Sequence, residues 1–204
     1  YSLIMSTGMS KGEKIDKLRA LVERMVGALG EENIVTLRSL NQLGSELRKS
    51  GEYEEAREVY ERCLRGREKV LGEDHKDTLG TVGNLGVVYY GLEDYEKALE
   101  YYERALKGKE KILGKTHPET LMTVMNIAIV YNVGLKDYGK AEELYQKVLE
   151  GCEAQLGKDH ERTKRCAKNL AACFLTAGEK LKLRKIIDEY PHIMIDQPAF
   201  KNYL

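Results

Sequence analysis

Residues 78–119 read TLGTVGNLGVVYYGLEDYEKALEYYERALKGKEKILGKTHPE, and this stretch decides the fold. Its apolar residues recur at helical spacing through Val82 and Leu85, and they do so again from Tyr95 onward. Between the two segments, the tetrapeptide GLED interrupts the pattern with residues that favour a turn. The stretch therefore predicts two antiparallel helices joined by a short connection.

This pair of helices is one copy of a repeat with a period of 42 or 43 residues, and the four copies begin at Thr36, Thr78, Thr120 and Thr163. Residues 15–35 keep the same register and are the second half of an earlier copy. The extra residue of the longer period falls within residues 132–136, which the pattern places in a loop. Because one pair cannot bury its own apolar stripe, successive pairs must stack into a solenoid with a concave and a convex face.

Small and large residues alternate at fixed positions of the repeat, and their pattern resembles the tetratricopeptide repeat family. The matching residues are Leu85-Gly86, Tyr89, Asp94-Tyr95, Ala98, Tyr102 and Ala105, with Leu43-Gly44, Glu52-Tyr53, Ala56 and Tyr60 one repeat earlier. The long period and the connectors LGEDHKDT, LGKTHPET and LGKDHERT resemble the kinesin light chain type of this family. The resemblance implies an all-α, right-handed superhelix of antiparallel helix pairs, an α-solenoid that binds proteins.

The register of the repeat predicts the domain organisation. We expect an N-terminal segment at 1–11, a tetratricopeptide repeat domain at 12–190 and a C-terminal tail at 191–204. Within the domain lie a half repeat (12–35) and four repeats (36–77, 78–119, 120–162 and 163–190). The tail is apolar, so it either caps the last repeat or docks on a partner or in the groove.

Charge and cysteine content exclude several classes of function. Lys and Arg together number 33, as do Asp and Glu, so the chain lacks the excess positive charge that favours nucleic acid or an anionic membrane. No apolar run approaches the roughly 18 residues of a membrane span. The four cysteines form no C-x-x-C pair, which predicts reduced, mostly buried thiols of a cytoplasmic protein.

Three of the four histidines occupy a single repeat position, at His75, His117 and His160. A repeat position distributes its copies along the solenoid, so we expect a structural role in the connectors rather than a metal or catalytic cluster. Thr116 and Glu119 form a candidate capping box, with Pro118 in the first helical turn. Since the chain also lacks the motifs of nucleotide-binding and hydrolytic sites, we expect no enzyme activity, no metal and no cofactor.

The family's inward-facing positions on the first helix of each repeat predict the lining of a peptide-binding groove. Its two ends are basic and its centre is apolar. In each repeat, a side-chain amide that precedes a Leu-Gly, Ile-Ala or Leu-Ala dipeptide adds to this lining, at Gln42, Asn84, Asn126 and Asn169. The predicted lining residues are Arg38, Asn41, Gln42, Arg48, Asn84, Val87, Tyr90, Met122, Met125, Asn126, Ile129, Asn132, Arg165, Lys168 and Asn169.

The role of these amides has two interpretations. In kinesin light chain-like domains an Asn stands at this position near the groove, which implies that Asn84, Asn126 and Asn169 grip the backbone of a peptide. Alternatively, they bond neighbouring helices and hold the stack together.

The lining predicts a monomeric adaptor whose client is an extended protein segment with an apolar core and acidic flanks. The alternative is a fixed subunit of a larger assembly that uses its termini and convex face as permanent contacts. A separate interpretation of the apolar centre is that the chain's own tail covers it.

Overall fold

The computed structural model describes residues 10–193, and this range contains nine α-helices. They are α1 (Lys11–Leu29), α2 (Ile34–Ser50), α3 (Tyr53–Leu71), α4 (Lys76–Gly91), α5 (Tyr95–Leu113), α6 (Pro118–Ile129), α7 (Tyr138–Leu156), α8 (Glu161–Ala177) and α9 (Lys180–Glu189). No helix in this range is long and apolar enough to cross a membrane. The predicted segments at 1–11 and 191–204 lie mostly outside the described residues.

The chain divides into two compact units, Tyr1–Gly108 and Lys109–Leu204. The N-terminal unit contains α1 to α4 and α5 as far as Gly108, and the C-terminal unit contains the remainder of α5 and α6 to α9. In both units, consecutive helices pack against each other in chain order, as α2 does with α3 and α7 with α8. Each predicted pair of helices is thus present.

Small residues allow the two helices of a pair to approach closely. A Cβ atom added at Gly44 would lie 2.9 Å from the ring of Tyr60, and one added at Gly86 would lie 2.7 Å from the ring of Tyr102. Both tyrosines are buried, so each ring fills the space left by the glycine that faces it. The repeated Leu-Gly step of the sequence therefore has a steric cause.

Side chains at one repeat position cap the first helices. Nδ1 of His75, His117 and His160 accepts a hydrogen bond from the backbone N–H two residues on, at 3.1, 3.2 and 3.1 Å, and Asn33 Oδ1 does the same at 2.9 Å. The predicted structural role of these histidines is confirmed. The predicted capping box at Thr116 is wrong, because His117 is the N-cap of α6 and its ring already binds the N–H that the cap must satisfy.

The extra residue of the third period lies in a π-helical turn, Val130–Gly134, which continues α6. Leu135 N–H donates to the carbonyl of Val130 at 2.9 Å, five residues back. The prediction that this residue lies in a loop is therefore wrong for most of residues 132–136. An insertion of one residue is absorbed by widening a single helical turn, which keeps the flanking apolar residues in register.

We expect Gly86→Val to lower the free energy of unfolding by roughly 1–3 kcal/mol, because its side chain would overlap the Tyr102 ring. Gly80→Ala, in the same helix, is the matched control. Nothing lies within 4 Å of a Cβ atom added at Gly80, so the alanine should stabilise the chain by about 0.5–1 kcal/mol. Urea denaturation of both variants measures the difference, and equal effects would contradict the packing argument.

Candidate peptide-binding surface

The predicted residues of the N-terminal unit lie on α2 and α4 with unequal exposure. Arg38 is exposed, and Gln42, Arg48 and Val87 are half-buried. Arg48 turns part of its side chain inward, since its Nε atom is buried. The basic character predicted for this end of the groove therefore rests mainly on Arg38.

Tyr90 provides an aromatic ring at the end of α4. It is half-buried, and its ring centroid lies 5.8 Å from that of Tyr95 in a tilted arrangement. Burial raises the pKa of Tyr90, so the phenol stays neutral at physiological pH. The ring is thus partly fixed by the fold, and ordering it in a complex costs little conformational entropy.

Two side-chain amides of the N-terminal unit form a hydrogen bond with each other. Asn84 Nδ2 on α4 donates to Asn41 Oδ1 on α2 at 3.5 Å, and Arg67 also donates to this oxygen at 3.5 Å. These long contacts link the first helices of successive repeats. In this unit the geometry favours the interpretation that the amides hold the stack together.

The same contact recurs in the C-terminal unit with a different acceptor. Asn169 Nδ2 on α8 lies 2.9 Å from Met125 Sδ on α6, and Met125 is only 6% exposed. Asn132 is also buried, and it accepts a hydrogen bond from the Thr176 hydroxyl at 3.2 Å. Met125 and Asn132 therefore belong to the packing between first helices more than to an accessible surface.

Met122 and Arg165 are the most accessible predicted residues of the C-terminal unit. Met122 is 42% exposed and Arg165 is exposed, whereas Asn126, Ile129 and Lys168 are half-buried. Together with Met125, both line a small cavity of about 20 Å³. The structure thus brings two methionines of the predicted apolar centre and one of the predicted basic residues to the same cavity.

A basic depression adjoins this cavity and shares Arg162 and Arg165 with it. Lys164, Lys168 and His192 complete the basic groups around the depression, which also contains Glu161. Glu161 pairs with Lys164 at 3.1 Å. Among the described residues, no carboxylate pairs with either arginine, and both lie in the first two turns of α8, where the helix dipole adds positive potential.

Reasoning from the sequence missed Arg162, Lys164 and His192. The spacing of Arg162, Arg165 and Lys168 places these three on one face of a helix, so Arg162 had a signal in the sequence. His192 had none, because it follows α9 and approaches α8 only through the turn at Pro191. Repeat positions cannot identify a residue beyond the last repeat.

A sequence model described as tetratricopeptide repeat matches residues 35–111, 77–132 and 119–182. Because the matches cover most of the chain, it belongs to the tetratricopeptide repeat family, and the predicted all-α solenoid of this type is confirmed. This family consists of protein-interaction scaffolds, so the chain is a protein-interaction domain. No curated protein matches this chain in sequence.

Solved structures define the type of repeat. A Podosopora anserina protein designated a kinesin light chain, with nearly identical TPR-like repeats, matches with a TM-score of 0.78 and 21% identity, over 91% of this chain and 88% of that one. BtubC (BKLC) from P. vanneervenii matches with a TM-score of 0.75 and 18% identity, over 93% of this chain and 75% of that one. The apo form of RapI matches with a TM-score of 0.73 and 16% identity, over 92% of this chain but only 50% of RapI. At these identities the likeness concerns the fold, and in fold the repeats are kinesin light chain-like.

Proposed function

We propose that this chain is a non-enzymatic cytoplasmic adaptor that binds an extended client segment along the first helices of its repeats. The observation that carries the proposal is the meeting of exposed Met122 with Arg162 and Arg165 at one cavity of the C-terminal unit. An apolar contact beside guanidinium groups that no carboxylate of residues 10–193 pairs with is complementary to a segment in which an apolar side chain stands next to an acidic one.

The apolar contacts supply most of the affinity. Buried apolar area contributes about 25 cal/mol per Å² before the costs of ordering are subtracted. A methionine adapts its flexible thioether to differently shaped partners, which suits a surface such as that of Met122. Tyr90 offers the N-terminal unit an aromatic contact of the kind that dominates interfaces.

The basic residues act chiefly on orientation and association rate. Arg165 is exposed, so its interaction with an acidic flank is screened by salt and contributes little free energy. It nevertheless increases the rate of encounter with an acidic segment, and it disfavours segments with basic flanks.

We expect Tyr90→Ala and Met122→Ala each to weaken client binding by about 10-fold, while Arg165→Ala weakens it less and mainly slows association. The client is identified by pull-down and mass spectrometry, and its shortest binding segment is synthesised. Isothermal titration gives the affinity of each variant, and stopped-flow mixing at low and high salt gives the association rate.

Arg184→Ala is the matched control for Arg165→Ala, because Arg184 is also an exposed arginine, on α9. It should leave both affinity and association rate unchanged. Circular dichroism confirms that each variant remains helical. Unchanged affinity in folded Tyr90→Ala and Met122→Ala variants would contradict the adaptor proposal and favour a fixed subunit that binds through other surfaces.

A further inference from the structure

A contact between the second helix of one repeat and the first helix of the next recurs along the chain. Its two partners are always 14 residues apart: Arg67 and Thr81 at 2.8 Å, Lys109 and Thr123 at 3.1 Å, and Cys152 and Cys166 at 3.5 Å between sulfur atoms. In two repeats, a cation bonds to a hydroxyl. In the third, the thiols of Cys152 and Cys166 replace the cation and the hydroxyl, so this contact joins two groups that can be oxidised.

The surroundings of this thiol pair differ from those of an inert buried cysteine. Cys152 and Cys166 both line the cavity of about 20 Å³ on which Arg162 and Arg165 also border. That volume holds one molecule of about the size of water. Although both sulfurs are buried within the fold, a very small polar reactant therefore has a place beside them.

Ionisation of the pair is strongly asymmetric. Either sulfur can donate the hydrogen bond between them. With Cys166 as the donor, this bond and the positive charges of Arg162 and Arg165 outweigh burial and lower the pKa of Cys152 to about 7. The same hydrogen bond, together with burial, raises the pKa of Cys166. When the pair loses one proton, one sulfur is a nucleophilic thiolate and the other a protonated thiol, and the charge of Arg162 favours Cys152 as the thiolate.

The two other cysteines provide an internal comparison. Burial raises the pKa of Cys173 to about 11, and it raises the pKa of Cys63, whose thiol donates to the Leu37 carbonyl at 3.2 Å. Within residues 10–193 the thiols of both bond to backbone carbonyl oxygens, of Leu37 and Tyr138, and not to a second sulfur. Cys152 therefore differs from both in ionisation and in having a thiol within reach.

We propose that Cys152 and Cys166 form a peroxide-reactive dithiol site that closes into a disulfide between α7 and α8. The Cys152 thiolate attacks one oxygen of hydrogen peroxide. The O–O bond breaks, and the departing hydroxide takes a proton to become water. Cys152 is now a sulfenic acid, and the Cys166 sulfur attacks it. An S–S bond forms, the S–O bond breaks, and the second hydroxide leaves as water with the Cys166 proton. Two thiols are oxidised by two electrons, and one peroxide is reduced to two waters.

The geometry allows this closure with a small displacement. A disulfide requires about 2.05 Å between sulfurs, so the pair must approach by about 1.5 Å from 3.5 Å. The α7 and α8 helices are already joined at this repeat position, so the disulfide adds a covalent bond to an existing contact.

The experiment treats the full chain with hydrogen peroxide, blocks the remaining thiols with N-ethylmaleimide and maps tryptic peptides without reduction. Cleavage after Lys147 and Lys158, and after Arg165 and Lys168, places the two cysteines on separate peptides. We expect one disulfide-linked species joining residues 148–158 to 166–168, formed at equimolar peroxide. Cys63 and Cys173 should remain alkylated by N-ethylmaleimide.

Variants separate the two steps of the reaction. Cys166→Ser should stop at a sulfenic acid on Cys152, which dimedone traps when it is added with urea to expose the buried site, whereas Cys152→Ser should leave Cys166 unoxidised.

In the unmodified chain, hydrogen peroxide should oxidise Cys152 at least 10-fold faster than Cys173 at pH 7, and this rate should fall below pH 7 as the thiolate is protonated. Arg162→Ala with Arg165→Ala should slow this oxidation, while Arg184→Ala should not. Oxidation of Cys63 or Cys173 at the rate of Cys152, or the absence of the linked peptides, would overturn the proposal.

Discussion

Tyr60→Ala should lower the free energy of unfolding by about 3–5 kcal/mol, the range that removal of a buried aromatic ring produces. Tyr60 is fully buried on α3, and its ring lies against Gly44 of α2, where any larger residue would collide with it. A helix pair cannot close the resulting cavity, because each helix is also held by the helices on either side of it. Urea denaturation followed by circular dichroism measures the loss.

Tyr60→Phe is the control for the ring itself. Arg48 and Ser45 lie near the Tyr60 hydroxyl and lower its pKa against the effect of burial, but neither makes a hydrogen bond of normal geometry with it. Removing the hydroxyl should therefore change the free energy of unfolding by less than about 1 kcal/mol. Val70→Ala removes apolar atoms from a side chain that is 41% exposed and should cost less than about 0.5 kcal/mol. A loss of that small size in Tyr60→Ala would mean that the ring does not hold α2 and α3 together.

The position of Tyr60 was predictable because the same residue pattern occurs in more than one repeat. A small residue at Gly44 and Gly86, and a tyrosine 16 residues later at Tyr60 and Tyr102, identify the closest approach of two helices without any structure. Repetition separates residues that every helix pair needs from those particular to one pair. The fold and much of its core could therefore be predicted from the sequence.

The π-helical turn could not be predicted in this way. The period shows that one residue is inserted near residue 132, but an insertion in a connection and one in a helix shift the following repeat equally. Only the backbone hydrogen bond from Leu135 to Val130 distinguishes the two. Sequence periodicity reports length, whereas the location of a bulge depends on which turn widens with the smallest loss of packing.

The candidate surface was predictable only in part, since a position in the repeat does not determine exposure. Met122 and Met125 were both assigned to the groove, yet Met125 is covered by Asn169 and Met122 is open. The contact depends on the residue that the next repeat places opposite, and here that residue is an asparagine. The proximity of Cys152 and Cys166 likewise follows from the packing of α7 on α8.

Arg67→Met should lower the free energy of unfolding by about 1.5–3 kcal/mol, the range for losing hydrogen bonds to a charged group. Arg67 is only 7% exposed on α3, and its guanidinium donates to the Asp77 carbonyl at 2.6 Å and to the Thr81 hydroxyl at 2.8 Å, both on α4. Methionine preserves the apolar packing of the stem but removes the donor on α3. The Asp77 carbonyl then accepts from the Thr81 hydroxyl, at 3.1 Å, but no longer from α3.

The magnitude of this effect depends on a competition, because burying a cation is itself unfavourable. At the equivalent position of the C-terminal unit, burial lowers the pKa of Lys109, which shows the cost of placing a charge there. Arg67→Lys keeps a charged donor, as in the contact of Lys109 with Thr123, and should lose less than half as much stability as Arg67→Met. Thr81→Val removes a hydroxyl that donates to the Asp77 carbonyl at 3.1 Å and accepts from Arg67 at 2.8 Å. It should cost less stability in the Arg67→Met background, where only the first of these bonds remains to be lost, than in the unmodified chain. Urea denaturation of the four chains of this double-mutant cycle gives the coupling energy. A coupling near zero would mean that the buried arginine does not join α3 to α4.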